Sequence, residues 1–436
     1  MHKPELLSPA GTLKSMRYAF AYGADAVYAG QPRYSLRVRN NEFNKEENLA
    51  RAISMAHAQG KQFYLAANLA PHNDKIRSFV RDMEPIIAMQ PDALIMSDPG
   101  LIMLVREHWP QQPVHLSVQA NAVNWATVKF WQQQGISRVI LSRELSLDEI
   151  EEIRQRVPEM ELEVFVHGAL CIAYSGRCLL SGYMTHRDSN QGACTNSCRW
   201  KYDAHPARET AGGDIVAVNT HMPPAEDKLF LLQEQGRPGE YMPAYEDEHG
   251  TYIMNSKDLR AVQHVQRLTD MGIHSLKIEG RTKSHFYVAR TAQIYRQAIS
   301  DACNRSEFNW ALMDQLEGLA HRGYTEGFYR RHLPAEFQNY EENNSNSGTQ
   351  QFVGEILDYH QGQLTVQVKN RFAVGDTLEL MTPQGDYHFI LQQMETEKGE
   401  SVDVARGDGW TVRIPAPAEI NPEYALLMRN RTGMAD

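Results

Sequence analysis

Cysteine is scarce in this sequence, and long apolar runs are absent from it. Five of the 436 residues are cysteine. The longest apolar runs, such as ALIM at 93–96, have the length of a strand and fall far short of the roughly 20 residues that cross a membrane as a helix. The first residues, MHKPELLSPAG, place Glu5 and Pro9 where a signal peptide has its apolar segment. We therefore expect a cytoplasmic protein with no membrane-spanning segment.

An excess of positive charge is also missing. The formal net charge is −10, which argues against bulk, non-specific binding of nucleic acid and leaves a local basic patch open. DNA and membranes are not expected as partners.

Several catalytic motifs are absent. No H-E-x-x-H helix of a zinc peptidase and no G-x-S-x-G nucleophile elbow occur. The C-x3-C-x2-C pattern of radical-SAM proteins is absent as well. A peptidase in which a cysteine is paired with His167, or which depends on a metal, remains an alternative. A non-catalytic RNA-binding or scaffold protein is another.

The apolar segments that are present alternate with amphipathic ones. Strands are predicted at 4–10, 26–30, 62–69, 93–98, 114–119, 138–143, 162–168 and 275–280. Helical patterns follow most of them, and several end in glycine, as helices often do. Eight strands in such an alternation predict an α/β fold of the (β/α)8 TIM-like barrel type. An open doubly wound sheet is the alternative, but no glycine-rich phosphate loop follows the first strand.

Polar residues follow the predicted strands, and in a barrel these positions lie at the C-terminal mouth, where such enzymes have their chemistry. They are Asn68, Asp98, Gln119, Arg143, Glu144, His167, Glu279 and Arg281. Each one alone could also be an ordinary polar loop residue.

The domain boundaries follow from composition. Residues 1–338 form the predicted barrel domain, with an insertion at about 171–270 between strands seven and eight. An Asn/Ser-rich linker at 339–351 precedes short alternating runs over 352–436, which predict a small all-β barrel domain. Residues 350–436 carry seven Lys or Arg against thirteen Asp or Glu, so this domain is not expected to bind phosphates.

Four of the five cysteines lie within 28 residues, in the spacing C-x6-C-x15-C-x3-C. They are Cys171, Cys178, Cys194 and Cys198. Thiols stay reduced in the cytosol, so a metal site is favoured over disulfides. Four thiolates suit either zinc or an iron–sulfur cluster, and the long gaps favour ligands from separate loops closing over a cluster. Zinc and uncoordinated thiols remain alternatives; Cys303 is interpreted as a small buried apolar residue.

The stretch EVFVHGALCIAYSGRCLLS at 163–181 resembles the signature of the U32 peptidase family. The resemblance extends through PELLSPAG, GADAVYAG, SLKIEGRTKS and the β-rich C-terminal segment. YSLRVRNNEF, SVQANAVNWATVKFW, EDEHGTYIMNSKDL and AHRGYTEGF are most similar to the tRNA-hydroxylating members of the family. The resemblance implies oxygen-independent, prephenate-dependent conversion of the wobble uridine of tRNA to 5-hydroxyuridine. It also implies a [4Fe–4S] cluster on the four clustered cysteines.

These implications assign roles to particular residues. Prephenate has two carboxylates, so fixed cations are needed; Arg143 and Arg281 are the candidates, with Lys277 beside them. Lys277, Glu279 and His167 are the candidate catalytic residues, and Glu279 and His167 are suited to proton transfer.

The RNA-binding prediction rests on QPRYSLRVRN, which follows the second strand. Arg33, Arg37 and Arg39 are predicted to contact phosphates, and Tyr34 to stack on a base. The implied partners are the tRNA anticodon loop, prephenate, and an electron donor or partner protein.

Overall fold

The computed structural model describes residues 2–36, 41–170, 257–280, 283–321, 323–330 and 350–430, and the backbone of five short strands between 207 and 252. Cys171, Cys178, Cys194, Cys198, Arg37, Arg39 and Arg281 lie outside the described residues.

The first 170 residues alternate strands with helices. The strands are β1 (Glu5–Pro9), β2 (Ala26–Gly30), β3 (Gln62–Ala66), β4 (Ala93–Met96), β5 (Val114–Leu116), β6 (Arg138–Ile140) and β7 (Glu161–Ala169). The helices are α1 (Leu13–Ala21), α2 (Glu46–Ala58), α3 (Asn73–Ala88), α4 (Pro99–His108), α5 (Trp125–Gln133) and α6 (Leu147–Arg156), with 3-10 turns η1 (Glu42–Asn44) and η2 (Val118–Ala120).

Polar caps explain where several of these helices begin. The Asp98 side chain accepts from the backbone N–H of Leu101 at 2.9 Å, and Pro99 occupies the first turn. Ser146 and Glu149 form a reciprocal capping box at the start of α6. Such caps satisfy N–H groups that have no partner within the helix. Asp98, predicted as a mouth residue, thus caps a helix.

The next described segments lead to the closing strand. They are β8 (Ala207–Glu209), β9 (Ile215–Ala217), β10 (Lys228–Gln233), β11 (Tyr241–Asp247), β12 (Gly250–Tyr252), β13 (Asp258–Arg260), η3 (Val262–His264), α7 (Val265–Asp270) and β14 (Ser275–Ile278). Residues 258–270, predicted as part of the insertion, pair and pack with the barrel: β13 lies antiparallel to the end of β7, and α7 packs against the helix that follows β14.

The eight parallel strands close into a barrel. Their order is β14-β1-β2-β3-β4-β5-β6-β7, and β14 also pairs with β7. Each coincides with a predicted strand within a few residues, so the predicted (β/α)8 barrel is confirmed. The core between the strands and the surrounding helices is dominated by Leu, Ile, Val, Ala and aromatic side chains.

The remaining elements include the C-terminal all-β domain. They are α8 (His285–Cys303), α9 (Ala311–Glu317), β15 (Tyr324–Thr325), β16 (Gln350–His360), β17 (Gln363–Val368), β18 (Phe372–Ala373), β19 (Thr377–Thr382), β20 (Gly385–Ile390), β21 (Glu395–Thr396), β22 (Val404–Ala405), β23 (Thr411–Pro415) and β24 (Leu426–Asn430). Seven of these strands form an antiparallel sheet in the order β20-β19-β24-β16-β17-β23-β21, and β18 pairs with β22. Two bulges bend β16. The all-β prediction is confirmed.

The C-terminal domain docks on helices α1 and α8 of the barrel. The Tyr22 hydroxyl donates to the carbonyls of Met381, at 3.1 Å, or Tyr424, at 2.9 Å. Arg290, 1% exposed, pairs with Glu379 and, at 2.8 Å, with Asp386. Burial alone would lower the pKa of the Arg290 guanidinium, but the two carboxylates outweigh it and raise the pKa. This ion cluster fixes one domain against the other.

Candidate active site

The mouth of the barrel brings Arg143 and Glu279 together from neighbouring parts of the barrel wall. Arg143 follows β6 and Glu279 follows β14. Nη2 of Arg143 lies 3.5 Å from Oε2 of Glu279. The Arg143 guanidinium lies over the Phe165 ring, with its central carbon 3.7 Å from the ring centroid. The Tyr28 hydroxyl is 3.5 Å from the same Glu279 oxygen. The site thus combines a guanidinium, a group that can bind anions, with a carboxylate, a group that can accept a proton.

Lys277 points the same way as Glu279 but sits deeper, because side chains two apart on a strand share a face. Its Nζ lies 2.8 Å from Oε1 of Glu163 and 4.4 Å from the centroid of the Tyr28 ring. Lys277 is 3% exposed and Glu163 is fully buried. Lys277 therefore joins a buried ion pair, and its Nζ lies 5.4 Å from the centroid of the Phe165 ring, which Arg143 also contacts.

The floor of the barrel lumen continues this network. Arg138 contacts carboxylate oxygens of Glu5 at 2.7 Å, Glu161 at 2.9 Å and Glu163 at 3.4 Å. Burial by itself would lower the pKa of the Arg138 guanidinium, but Glu5 and Glu163 outweigh burial and raise it. The charges at the floor are thus compensated by close partners.

His167 lies on the other side of the barrel wall. A bulge interrupts the pairing of β7 with β14: Lys277 pairs with Phe165, whereas Ile278 pairs with His167. The extra residue turns His167 away from the lumen, toward helix α8. Its ring lies 5.8 Å from that of Tyr287, 5.6 Å from Tyr295 and 5.5 Å from Tyr324 between ring centroids.

Enclosure by these three tyrosines determines the protonation state of His167. The ring is 1% exposed, its Nδ1 is 3.4 Å from the Tyr295 hydroxyl, and within the described part of the chain Nε2 has no hydrogen-bond partner. Burial, which disfavours the charged ring, lowers the pKa of His167 to about 3. His167 is therefore neutral at physiological pH.

A group of polar residues that the sequence analysis did not assign surrounds this histidine. Arg260 of β13 pairs with Glu317, and its guanidinium carbon lies 4.6 Å from the Tyr324 ring centroid. His321 stacks on Tyr324 at 4.1 Å between centroids. Asp258 is buried and pairs along the backbone with Ala169, two residues before Cys171. The signal was present in the sequence, because these residues lie in the motifs EDEHGTYIMNSKDL and AHRGYTEGF or beside them.

The predicted RNA-contacting stretch is described only in part. Arg33 is half exposed and its Nη1 lies 2.8 Å from Oδ2 of Asp82. Tyr34 is fully buried: its hydroxyl donates to Asp82 at 2.8 Å, and its ring packs edge-on against Phe79. In this position the Tyr34 ring has no face open to a base, so Tyr34 is not included in the RNA contacts proposed below.

The cysteine segment begins at the mouth. Leu170 directly follows β7, whose C-terminal end lies at this rim of the barrel, and Cys171 is the next residue. Within the described ranges no group of three or more His, Cys, Asp and Glu is placed to hold a metal ion. In the described part of the chain, no helix has the length and apolar character needed to cross a membrane.

Comparison with known proteins identifies the family. The sequence profile described as "Peptidase family U32" matches residues 11–339, and the profile described as "Peptidase family U32 C-terminal domain" matches residues 348–429. This chain belongs to peptidase family U32. The family resemblance inferred from the cysteine signature is confirmed.

Individual relatives cover almost the entire chain. It is 65% identical to tRNA hydroxylation protein P of Escherichia coli K12, over 99% of this chain and 98% of that protein. Its identity to tRNA hydroxylation protein P of Haemophilus influenzae is 61%, over 98% and 96% of the two chains. A 23S rRNA 5-hydroxycytidine synthase of E. coli is 29% identical, over 98% of this chain and 59% of that protein. These relatives support a role in RNA hydroxylation.

Proposed function

We propose that this U32 protein is a tRNA uridine C5 hydroxylase that converts the wobble uridine to 5-hydroxyuridine with prephenate as cosubstrate. The observation that carries the proposal is the near full-length identity to two proteins named for tRNA hydroxylation. The absence of zinc-peptidase and serine-peptidase motifs from the sequence, together with the enclosed His167, supports hydroxylation over proteolysis.

The mouth supplies a suitable anion site. Arg143 is only slightly exposed and is held on Phe165, so its planar guanidinium is oriented before a ligand arrives. A dicarboxylate such as prephenate suits that orientation, because an arginine fork pairs with a carboxylate in two parallel hydrogen bonds. Arg281, the second predicted cation, follows Glu279 by two residues in the sequence.

Glu279 is the best placed of the three proposed catalytic residues to handle a proton. The exchange of C5–H for C5–OH is a two-electron oxidation that draws on the cosubstrate. The part assigned to Glu279 is to accept the C5 hydrogen as a proton. Lys277 is held by Glu163 and acts through its charge. The enclosed, neutral His167 would position the end of β7, through its tyrosines, rather than meet the base.

The four cysteines supply a donor set that fits an iron–sulfur cluster. Cys171, Cys178, Cys194 and Cys198 provide four thiolates, the number that a [4Fe–4S] cluster takes from protein, and the segment that carries them begins at the mouth. Bound there, a cluster would supply one-electron chemistry. Arg33, Arg37 and Arg39, after β2, are proposed as phosphate contacts for the anticodon loop, because strand β2 also ends at the mouth.

The activity test uses a bacterial strain whose tRNA lacks 5-hydroxyuridine. Expression of this chain should restore 5-hydroxyuridine, measured by mass spectrometry of tRNA nucleosides, and the restoration should depend on a supply of prephenate. An unmodified tRNA in the presence of both protein and prephenate would overturn the proposal. Modification without prephenate would show that prephenate is not the cosubstrate.

The cofactor test measures iron, acid-labile sulfide and zinc per chain after purification without oxygen. We expect about four irons and four sulfides per chain, and their loss in Cys178→Ala. Cys303→Ala is the matched control, since Cys303 lies on helix α8, away from the cluster segment, and should leave the content unchanged. Stoichiometric zinc without sulfide would contradict the cluster and reopen the peptidase alternative.

A further inference from the structure

Gln119, in the turn η2 that follows β5 at the mouth, has a side-chain amide of fixed orientation. We infer that its side-chain amide reads position 4 of the target base and selects uridine over cytidine. The inference rests on the proposed function, because it assumes that a pyrimidine enters this mouth.

The orientation of the amide follows from a chain of hydrogen bonds that starts at the backbone. The backbone N–H of Leu36 donates to Oδ1 of Asn68 at 3.3 Å. A backbone N–H can only donate, so the Asn68 amide cannot be turned around without losing this bond. Its Nδ2 therefore faces Gln119 and donates to Oε1 of that residue at 3.0 Å.

The Ser117 hydroxyl is a second partner of the Gln119 amide, and because a hydroxyl can donate or accept, it fits the orientation that Asn68 sets. The Ser117 hydroxyl also donates to Oε1 of Gln119, while Asn68 Nδ2 lies 3.3 Å from Ser117 Oγ. With both donors on its oxygen, Gln119 turns its Nε2 away from this cluster. That nitrogen has two N–H groups and no hydrogen-bond partner among the residues that the structure describes. The residue is partly exposed.

The loop that carries Gln119 is hydrogen-bonded to the residue before Arg143. Asn121, in a left-handed conformation with φ of 53°, donates from Nδ2 to the carbonyl of Gln119 at 2.9 Å. The same turn reaches the next strand end, where the backbone N–H of Ser142 donates to the carbonyl of Ala122 at 3.2 Å. Ser142 directly precedes Arg143. Gln119 and the proposed anion site thus occupy adjacent strand ends at one rim.

The chemistry of the two pyrimidines makes such a donor selective. At position 4, next to the C5 that would be hydroxylated, uracil carries a carbonyl oxygen, which only accepts, and cytosine carries an amino group, which donates. The Gln119 N–H groups can donate to the uracil carbonyl. Against the cytosine amino group they face other donors, so the N–H groups on both sides stay unpaired. One relative is named for 5-hydroxycytidine formation in 23S rRNA, so a group that separates the two bases has a clear use in this family.

The decisive variant is Gln119→Glu, which has nearly the same shape. Its carboxylate still accepts from Asn68 and Ser117, but its free end accepts where the amide donated. Anticodon stem-loop RNAs with U or C at the wobble position serve as probes for both binding and modification. We expect the wild type to prefer the U-containing RNA by about 10- to 100-fold, and Gln119→Glu to lose or reverse this preference.

Two further variants serve as controls: one for the added negative charge and one for the orientation of the amide. Gln133→Glu, at an exposed position at the end of α5, introduces the same charge away from the mouth and should keep the U preference. Asn68→Asp still accepts from Leu36 but no longer donates to Gln119, so the amide is free to turn and part of the preference should disappear. All variants should melt within a few degrees of the wild type.

The outcomes separate this inference from the proposed function. Modification of U by the wild type with an unchanged U-to-C ratio in Gln119→Glu would overturn the role of Gln119 while the proposed function stands. If the wild type binds both RNAs equally, the inference is also wrong. If the wild type prefers U in binding but modifies neither RNA with prephenate present, the proposed reaction fails, and the shift in binding preference still decides the role of Gln119.

Discussion

The floor and the mouth of the barrel lumen each contain an arginine, buried at the floor and slightly exposed at the mouth, and the two are held in different ways. At the floor, Arg138 meets three carboxylates at 2.7 to 3.4 Å, and Glu163 is shared with Lys277. At the mouth, Arg143 lies over Phe165, with its guanidinium carbon 3.7 Å from the ring centroid, and is 3.5 Å from Glu279. Close compensation is what a structural charge needs in a low-dielectric interior, whereas the contact with Phe165 holds the Arg143 guanidinium in place at the mouth.

The largest expected effect on stability comes from breaking the floor network. Glu163→Gln leaves Lys277 and Arg138 buried with too little negative charge, and breaking a buried pair in this way costs about 3–5 kcal/mol. Urea unfolding at pH 7 measures the change.

Two controls define the cause of that loss. Glu161→Gln, on the same strand, removes another carboxylate partner of Arg138 from a half-exposed position and should cost less than about 1 kcal/mol. The double variant with Glu163→Gln and Lys277→Met should recover part of the loss. Equal destabilisation by the two single changes would show that the floor charges are not buried as described.

The next effect is a pH dependence from His167. The folded-state pKa of about 3 lies below the ordinary value of 6.5, so the unfolded state takes up the proton first as the pH falls. The contribution to stability is complete above pH 6.5 and is lost as the pH falls toward 3. Between pH 7 and pH 4 the free energy of unfolding should fall by roughly 3 kcal/mol through this residue.

His167→Phe isolates that contribution, because the ring is kept and the titrating nitrogens are removed. The decrease in stability between pH 7 and pH 4, measured by urea unfolding, should become smaller in this variant. The same measurement on His108→Asn, a change of an exposed histidine, should match the wild type. An unchanged pH dependence in His167→Phe would mean that water reaches the ring.

The smallest effect on stability is expected at the mouth, where activity should change instead. Arg143→Lys keeps the charge but loses the planar fork and its stacking on Phe165, so the free energy of unfolding should change by less than about 1 kcal/mol. The KM for prephenate should rise by about tenfold or more.

A matched arginine is available as a control for this change. Arg156 lies 5.0 Å from the centroid of the Trp125 ring and pairs with Glu152 on the outside of helix α6. Arg156→Lys should leave the KM unchanged. A KM that is the same in Arg143→Lys and the wild type would remove Arg143 from the proposed prephenate site.

The sequence was sufficient to predict the barrel because strand position depends on local apolar runs. All eight strands were predicted within a few residues, and the change of pattern after residue 350 predicted the all-β domain. What was missed depends on pairing. The bulge beside Val166 is one extra residue, yet it reverses the side on which His167 lies, and nothing in LEVFVHG marks it.

The same limit applies to individual charges. Lys277 was predicted as a cation at the mouth, and its partner Glu163 is set by a register between strands more than a hundred residues apart. A glutamate in the middle of an apolar strand was nevertheless a visible sign of a buried charge. The arginines near Tyr34 in the sequence predict that its ring stacks on a base. In the structure its position is decided instead by contacts with Asp82 and Phe79 of helix α3.

The closure of the barrel has a consequence for the ribosome. Strand β1 finds one of its two partners in β14, and the hydroxyl of Ser275 bonds Glu5 across 270 residues of chain. At about 5–20 residues per second, synthesis of that intervening chain takes on the order of 15–50 s. Throughout this time β1 has one unpaired edge, the kind of surface that pairs with other chains. A nascent chain of this protein therefore carries this open edge until residue 278 has emerged.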